Sequence, residues 1–158
     1  MTRTVKVIAV ISVCTVSTAA LDSVAGFAAR ADDLGSAMHS AVNRLRQACG
    51  VIGDDPRLTE AAQRHANDML LNGVNGHVGS DGSSPHARIS DAGYTGASYT
   101  GEIVFWGTGS AATPSTVLDL WMDSPPHRAI ILNCAFTAVG FATARDGNKM
   151  TAVGDFAA

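Results

Sequence analysis

Two of the five histidines and one glutamate stand out by their settings. His77 follows Gly76 and precedes Val78-Gly79 in a loop, and loops held on a rigid scaffold carry function more often than helix interiors do. His127 comes just after a Ser124-Pro125-Pro126 break, near a helix start. Glu102 lies inside Tyr99-Thr100-Gly101-Glu102-Ile103-Val104-Phe105-Trp106, an apolar run with no other carboxylate. A carboxylate there must face solvent, be paired or bind something, because an unpaired buried charge is very costly. Two histidines and a carboxylate make a donor set for a divalent metal. The three are 25 residues apart at each step, so only a tertiary fold can assemble them. The other histidines read more plainly: His39 as a solvated helix residue, His65 as a hydrogen-bonded residue beside an apolar helix face, His86 as exposed.

The chain has no G-x-S-x-G elbow, H-E-x-x-H helix, Walker loop or G-x-G-x-x-G turn, so no serine or helical zinc chemistry is signalled. Asp81, Ser83 and Ser84 form a turn with a helix cap and lack the ligand spacing of a calcium loop. Trp106, Trp121, Phe105 and Phe136 read as core.

These residues have to be positioned by the elements around them. Leu34, Met38, Ala41, Val42, Leu45 and Cys49 recur as one apolar helical stripe, with Arg44 and Arg46 pointing away and Gly50 as the stop. Leu58, Ala62, Ala66 and Met69 form a second helix face that opens at Asp55-Pro56 and ends by Gly73. Ser84-Pro85 starts a short helix closed by Gly93. Tyr99–Trp106 reads as a strand, Thr113-Pro114 opens a helix carrying Val117, Leu118, Trp121 and Met122, and a short helix covers His127–Leu132. Phe136–Ala144 and Lys149–Phe156 read as strands joined by an Asp146-Gly147-Asn148 hairpin turn. The pattern predicts an α+β fold with a mostly antiparallel sheet.

Composition narrows the function classes. The chain has 158 residues, enough for one domain. Hydrophobic residues are 46%, which excludes a disordered chain, and the formal charge of −3 disfavours a nucleic-acid binder. Arg3 and Lys6 precede the apolar stretch Val7–Val16, and Ala29-Arg30-Ala31 is a small-x-small site. This is the layout of a secretory signal peptide over 1–31, with Ala20 as an alternative cleavage point. Ser, Thr, Cys14 and Asp22 dilute the run below what a retained span needs, and Val13 before Cys14 disfavours lipidation. The mature domain is then 32–158, with 8 basic and 13 acidic residues and a charge of −5. It is expected to be secreted, with the cell envelope as the alternative location, without stable membrane insertion, and monomeric. In an oxidising compartment Cys49 and Cys134 favour a disulfide, the alternative being two buried thiols.

Ordered blocks along the mature chain resemble the CAP superfamily, the SCP-like extracellular domain shared by cysteine-rich secretory proteins, insect antigen-5 and plant pathogenesis-related-1 proteins, and above all its short bacterial branch. The blocks are Leu58–Met69, Gly76–Pro85, Arg88–Tyr94, Gly101-Glu102, Trp121-Met122-Asp123-Ser124-Pro125-Pro126-His127-Arg128-Ala129-Ile130-Ile131-Leu132-Asn133, and Phe136–Gly140. The resemblance implies an α-β-α sandwich with a central cleft of two histidines and two acidic residues that holds a divalent metal in some members. His77 and His127 match the histidine positions and Glu102 the first acid. The second acid is missing: Ser124 stands there with Asp123 just before it, and adjacent helix residues point about 100° apart. Ile103 replaces the asparagine usual beside that glutamate, and the closing strand has Val153 and Phe156 in place of a tryptophan.

Three functions compete. The first is a secreted binding module for a lipid, a sterol or a protein partner, requiring no cofactor, whose cleft is also a candidate for zinc or magnesium. The alternative is a metal-dependent hydrolase or peptidase using the same cleft, with Glu102 as ligand or general base. The third is a buried hydrogen-bond network that serves the fold alone.

Overall fold

The computed structural model describes residues 34–111 and 113–158. The leader read over 1–31 and its cleavage point lie outside the described residues. Residues 34–45 form helix α1. There follow β1 (Gly53–Asp54), α2 (Pro56–Asn72), α3 (Pro85–Asp91), β2 (Thr100–Thr108), a 3-10 turn (Gly109–Ala111), α4 (Pro114–Asp123), α5 (Pro125–Ile131), β3 (Ala138–Asp146) and β4 (Lys149–Ala157).

The helix starts follow the capping chemistry expected. The side chains of Asp55, Ser84 and Thr113 each accept a backbone N–H from the first turn of α2, α3 and α4, and each is followed by proline. The sheet order is β1-β3-β4-β2. β3 and β4 form a hairpin with Asp146 opposite Lys149 across Gly147-Asn148, where Gly147 takes a φ of 56°. β2 pairs antiparallel with β4 from Thr100 opposite Ala157 to Thr108 opposite Lys149. β1 is a two-residue strand parallel to β3, too short for hydrophobic alternation to announce it.

The sheet separates two apolar layers. On one face Met38 and Val42 of α1, Val117 and Trp121 of α4, and Ile131 of α5 pack on Ile103, Phe105, Val139, Phe141, Met150 and Phe156. On the other, Ala62, Ala66 and Met69 of α2 pack on Val104, Ala142, Ala144 and Val153, and Leu58 and Ala61 meet Ile89 of α3 and Ala157. This is the α-β-α sandwich expected. Helix α2 lies close on the sheet because β3 carries Gly140 beneath it. A Cβ at Gly140 would sit 2.0 Å from Thr59 N and 2.3 Å from Leu58 C.

Three local readings are corrected. α1 ends at residue 45, before Gly50, and Arg46 faces inward, 2% exposed. Arg46 is four residues past Val42 and shares its side of the helix; its guanidinium donates to the carbonyls of Ile131 (2.6 Å), Asn133 (2.9 Å) and Phe136 (2.8 Å). Leu45 is the exposed residue instead. His39 is partly buried, and its Nε2 lies 2.9 Å from the Ile52 carbonyl, with Asn43 beside it. Trp106, on the edge strand β2, is 52% exposed, whereas Phe105, Trp121 and Phe136 are core as expected. Cys49 and Cys134 form a disulfide, with Cα atoms 5.0 Å apart, that ties the end of α1 to the segment after α5.

The backbone contact over Gly140 leaves no flexible side chain to yield. Gly140→Ala is expected to cost about 3 kcal/mol or more, read as a lowered urea midpoint.

Candidate functional site

Glu102 is the third residue of β2, and strand alternation puts it on the α2 side of the sheet with Val104. Its side chain is 1% exposed. Two partners hold it. Arg88 Nη2 of α3 donates to Oε2 at 2.5 Å, and His77 Nδ1 lies 2.7 Å from Oε1. Arg88 is itself 1% exposed, and its guanidinium also donates to the carbonyls of Ser83 and His77. A buried carboxylate is thus neutralised by a buried guanidinium, with an imidazole completing its shell.

The loop bearing His77 is pinned at several points. His65 Nε2 lies 2.8 Å from the Gly76 carbonyl, so that nitrogen carries the proton and donates it. Asp68 accepts from the backbone and hydroxyl of Ser80 at 2.7 and 2.5 Å. His65 is fully buried, deeper than its reading as a residue at the side of the helix, and its Nε2 is 3.9 Å from Glu102 Oε1. His127 sits at the third residue of α5. Ser124 ends α4 and starts α5 at once, and Arg128 braces the corner by donating to Met122 O at 2.8 Å. Arg46 and the disulfide hold the far end of α5 from the α1 side.

A cleft of about 330 Å³ opens above Glu102, lined by His77, Ser84, Pro85, His86, Thr100, Gly101 and Glu102. His77 is raised above the usual histidine value, first by its hydrogen bond to Glu102, while burial opposes the shift. His127 is lowered, first by burial and then by the positive charge of His77. Ser124 makes no capping hydrogen bond and Asp123 is exposed at the end of α4; neither of them, nor His127, is among the residues lining the cleft, which of the expected set holds His77 and Glu102.

The donor set does not fit a three-ligand metal. Both oxygens of Glu102 are engaged, one by the cation Arg88, so ligation by Glu102 would strand a buried guanidinium. The donors left are His77 Nε2 and His127, fewer than the three or four protein ligands of zinc sites and without the oxygens magnesium prefers. Among the described residues no group of three or more His, Cys, Asp or Glu is gathered for a metal.

A family model described as the cysteine-rich secretory protein family matches residues 39–156. The chain belongs to this family, the CAP domains. Three solved structures show the same fold. An outer surface protein from Borrelia burgdorferi superposes with a TM-score of 0.68 at 22% identity, covering 77% of this chain and 90% of that one. An extracellular protein containing a SCP domain from Bacillus anthracis gives 0.67 at 20% identity, over 80% of this chain and 41% of the other. A cysteine-rich secretory protein from Staphylococcus aureus gives 0.63 at 16% identity, over 80% and 38%. No curated protein matches the chain. Among the described residues no helix is long and apolar enough to cross a membrane.

In this CAP domain Glu102 was legible in advance, as a lone carboxylate in an apolar run. Arg88 was not, because an arginine on a short helix carries no such signal. Asp155 of β4 carried the same signal as Glu102, one carboxylate among Met150–Ala157, and it lies opposite Glu102 in the strand register.

Removing one partner of the buried pair should be severe. Arg88→Ala is expected to lose about 3–5 kcal/mol in urea unfolding. In an NMR titration His77 should take up its proton at higher pH than His127, and Glu102→Gln should lower the His77 midpoint. Because His77 is raised in the folded state, its contribution is complete below the unfolded value of about 6.5 and is lost as pH rises through the folded value.

Proposed function

We propose that this CAP domain is an extracellular binding module, and that a segment of a protein partner seats in the cleft beside His77. The observation that carries the reading is the state of Glu102. A carboxylate held by Arg88 and His77 is shaped to keep the cleft in form, and is not free to serve as a general base. Among the described residues, the side-chain partner of His77 is Glu102, not a nucleophile. The cleft volume, about 330 Å³, is at the bottom of the range of roughly 300–1,000 Å³ usual for pockets that enclose small molecules, which favours an inserted side chain or chain end over a whole sterol. Val78 and Tyr99, neighbours in sequence of His77 and Thr100, are 62% and 52% exposed. Tyr99 is stacked on Phe136 at 4.9 Å, so its ring is presented in a fixed orientation, as aromatic anchors of interfaces are. Extracellular placement is supported by the family and by its structural neighbours, an outer surface protein from Borrelia burgdorferi and an extracellular protein from Bacillus anthracis.

The test is selection of a displayed peptide library on the protein, with binding then measured on variants. Selected peptides are expected to lose about tenfold or more in affinity on Tyr99→Ala and on His77→Ala, as anchors worth upwards of 1 kcal/mol would. Binding to sterol-containing vesicles but not to peptides would replace the protein partner by a lipid. Turnover of a peptide or ester panel that Glu102→Gln abolishes while the fold survives would overturn the reading in favour of a hydrolase.

A further inference from the structure

Beneath the cleft lies a second carboxyl that the binding reading leaves unused. Asp155 stands on β4, flanked in register by Glu102 on β2 and Gly140 on β3. It is fully buried, and neither of its oxygens meets a hydrogen-bond donor. Its register neighbour Gly140 lies directly under the backbone of α2 at Leu58 and Thr59.

The charged groups that act on it are few. β2 contributes Glu102 and α3 contributes Arg88; His65 of α2 and His77 of the 73–84 loop lie against Glu102, and β3 contributes the uncharged Gly140. Their donors are directed elsewhere. Arg88 Nη2 serves Glu102 Oε2 and the His77 carbonyl, and Nη1 serves Ser83. His77 Nδ1 serves Glu102 Oε1, and His65 Nε2 serves the Gly76 carbonyl. Arg88 Nε is itself without a partner, so it lies out of hydrogen-bonding reach of Asp155. One buried guanidinium thus faces two buried carboxyls. Side chains directly opposite in an antiparallel pair have Cβ atoms about 5 Å apart. Two ionised carboxylates cannot be held there without water, whereas one proton between them converts repulsion into an O–H···O⁻ hydrogen bond.

We propose that Asp155 is held as a neutral carboxylic acid whose O–H donates to the Glu102 carboxylate, making Asp155 a positioning residue for Glu102 and, through it, for His77. Burial is the largest cause pushing the Asp155 carboxyl well above the usual carboxylate range, the charge of Glu102 adds to it, and Arg88 acts the other way. Glu102 is then gripped on three sides, by Arg88, His77 and Asp155, and the proton on Asp155 belongs to the folded state. A carboxyl raised on folding contributes stability that is complete below its unfolded value of about 3.9 and is lost as pH rises through its folded value. The inference holds whatever the cleft binds, so its failure and the failure of the binding reading are separate events.

The test uses the whole chain and two variants. In Asp155→Asn the amide supplies the same donor at every pH; in Asp155→Ala the donor is gone. Urea unfolding is measured from mildly acidic to mildly alkaline pH, and His77 is followed by imidazole NMR. Relative to Asp155→Asn, the unfolding equilibrium constant of wild type should rise by up to about tenfold per pH unit between the two values of the Asp155 carboxyl. Asp155→Asn should keep the wild-type His77 titration at neutral pH, and Asp155→Ala should shift it. Should either variant fail to fold, carboxyl carbon NMR of the wild-type protein decides: a side-chain carboxyl assigned to Asp155 that titrates far above the rest supports the proposal. A normal acidic titration of that carboxyl overturns it. So does an Asp155→Asn variant with the same pH slope as wild type.

Discussion

A carboxylate that folding removes from water must be answered by a cation, and in this protein Arg88 answers Glu102. The pair is about 1% exposed on both sides and sits where α2, α3 and β2 converge. Much of the local architecture follows from it. The Ser84 cap and Pro85 start α3 where its fourth residue reaches the sheet. The same guanidinium gathers the carbonyls of His77 and Ser83, which shapes the loop that forms the cleft wall. The cleft is therefore a by-product of neutralising a buried charge, and its polar wall is tied by the hydrogen bonds of Arg88 and Glu102.

The opposite layer is organised by a different buried arginine. Arg46 closes on three carbonyls of the segment that leaves α5, and the Cys49–Cys134 disulfide lies beside it in the chain. Closing an 85-residue loop stabilises by about 4–5 kcal/mol in the chain-entropy picture, an upper figure. Together these contacts fix α5, and with it His127, against α1. Trp121 adds a further tie, its indole N–H donating to the Val104 carbonyl of the edge strand at 2.9 Å. His77 and His127 are thus held by separate layers anchored to one sheet, near enough that the charge of His77 lowers His127.

The site was legible to the extent that its members broke a local pattern. Glu102 interrupts an apolar strand and His77 sits in a loop, whereas His127, singled out by its helix-start position, does not line the cleft. Asp155 breaks the pattern of β4 just as clearly, and the register of β2 with β4 gives that second break its meaning. Arg46 was read as pointing away from the core, because a charge at a helical position is solvated far more often than buried, and Arg88 entered only as part of the Arg88–Tyr94 block. His65 was placed correctly as a hydrogen-bonded helix residue, but the depth of its burial depends on how closely α2 lies on Gly140.

By itself the sequence determined the element types, the helix starts at Asp55, Ser84 and Thr113, the hairpin at Gly147-Asn148 and the α+β class, because caps, turns and alternation are interactions between near neighbours; the sandwich was what the family resemblance implied. It also carried the pairing of Cys49 with Cys134, two cysteines of the mature chain read in an oxidising setting. Tertiary structure alone decided which charges are buried, which oxygen of Glu102 each partner takes, and that two carboxyls lie across one strand pair. Those are outcomes of register and packing between residues as far apart as Arg46 and Phe136 or Glu102 and Asp155. The energies involved depend on distance and dielectric, which no window of local sequence contains.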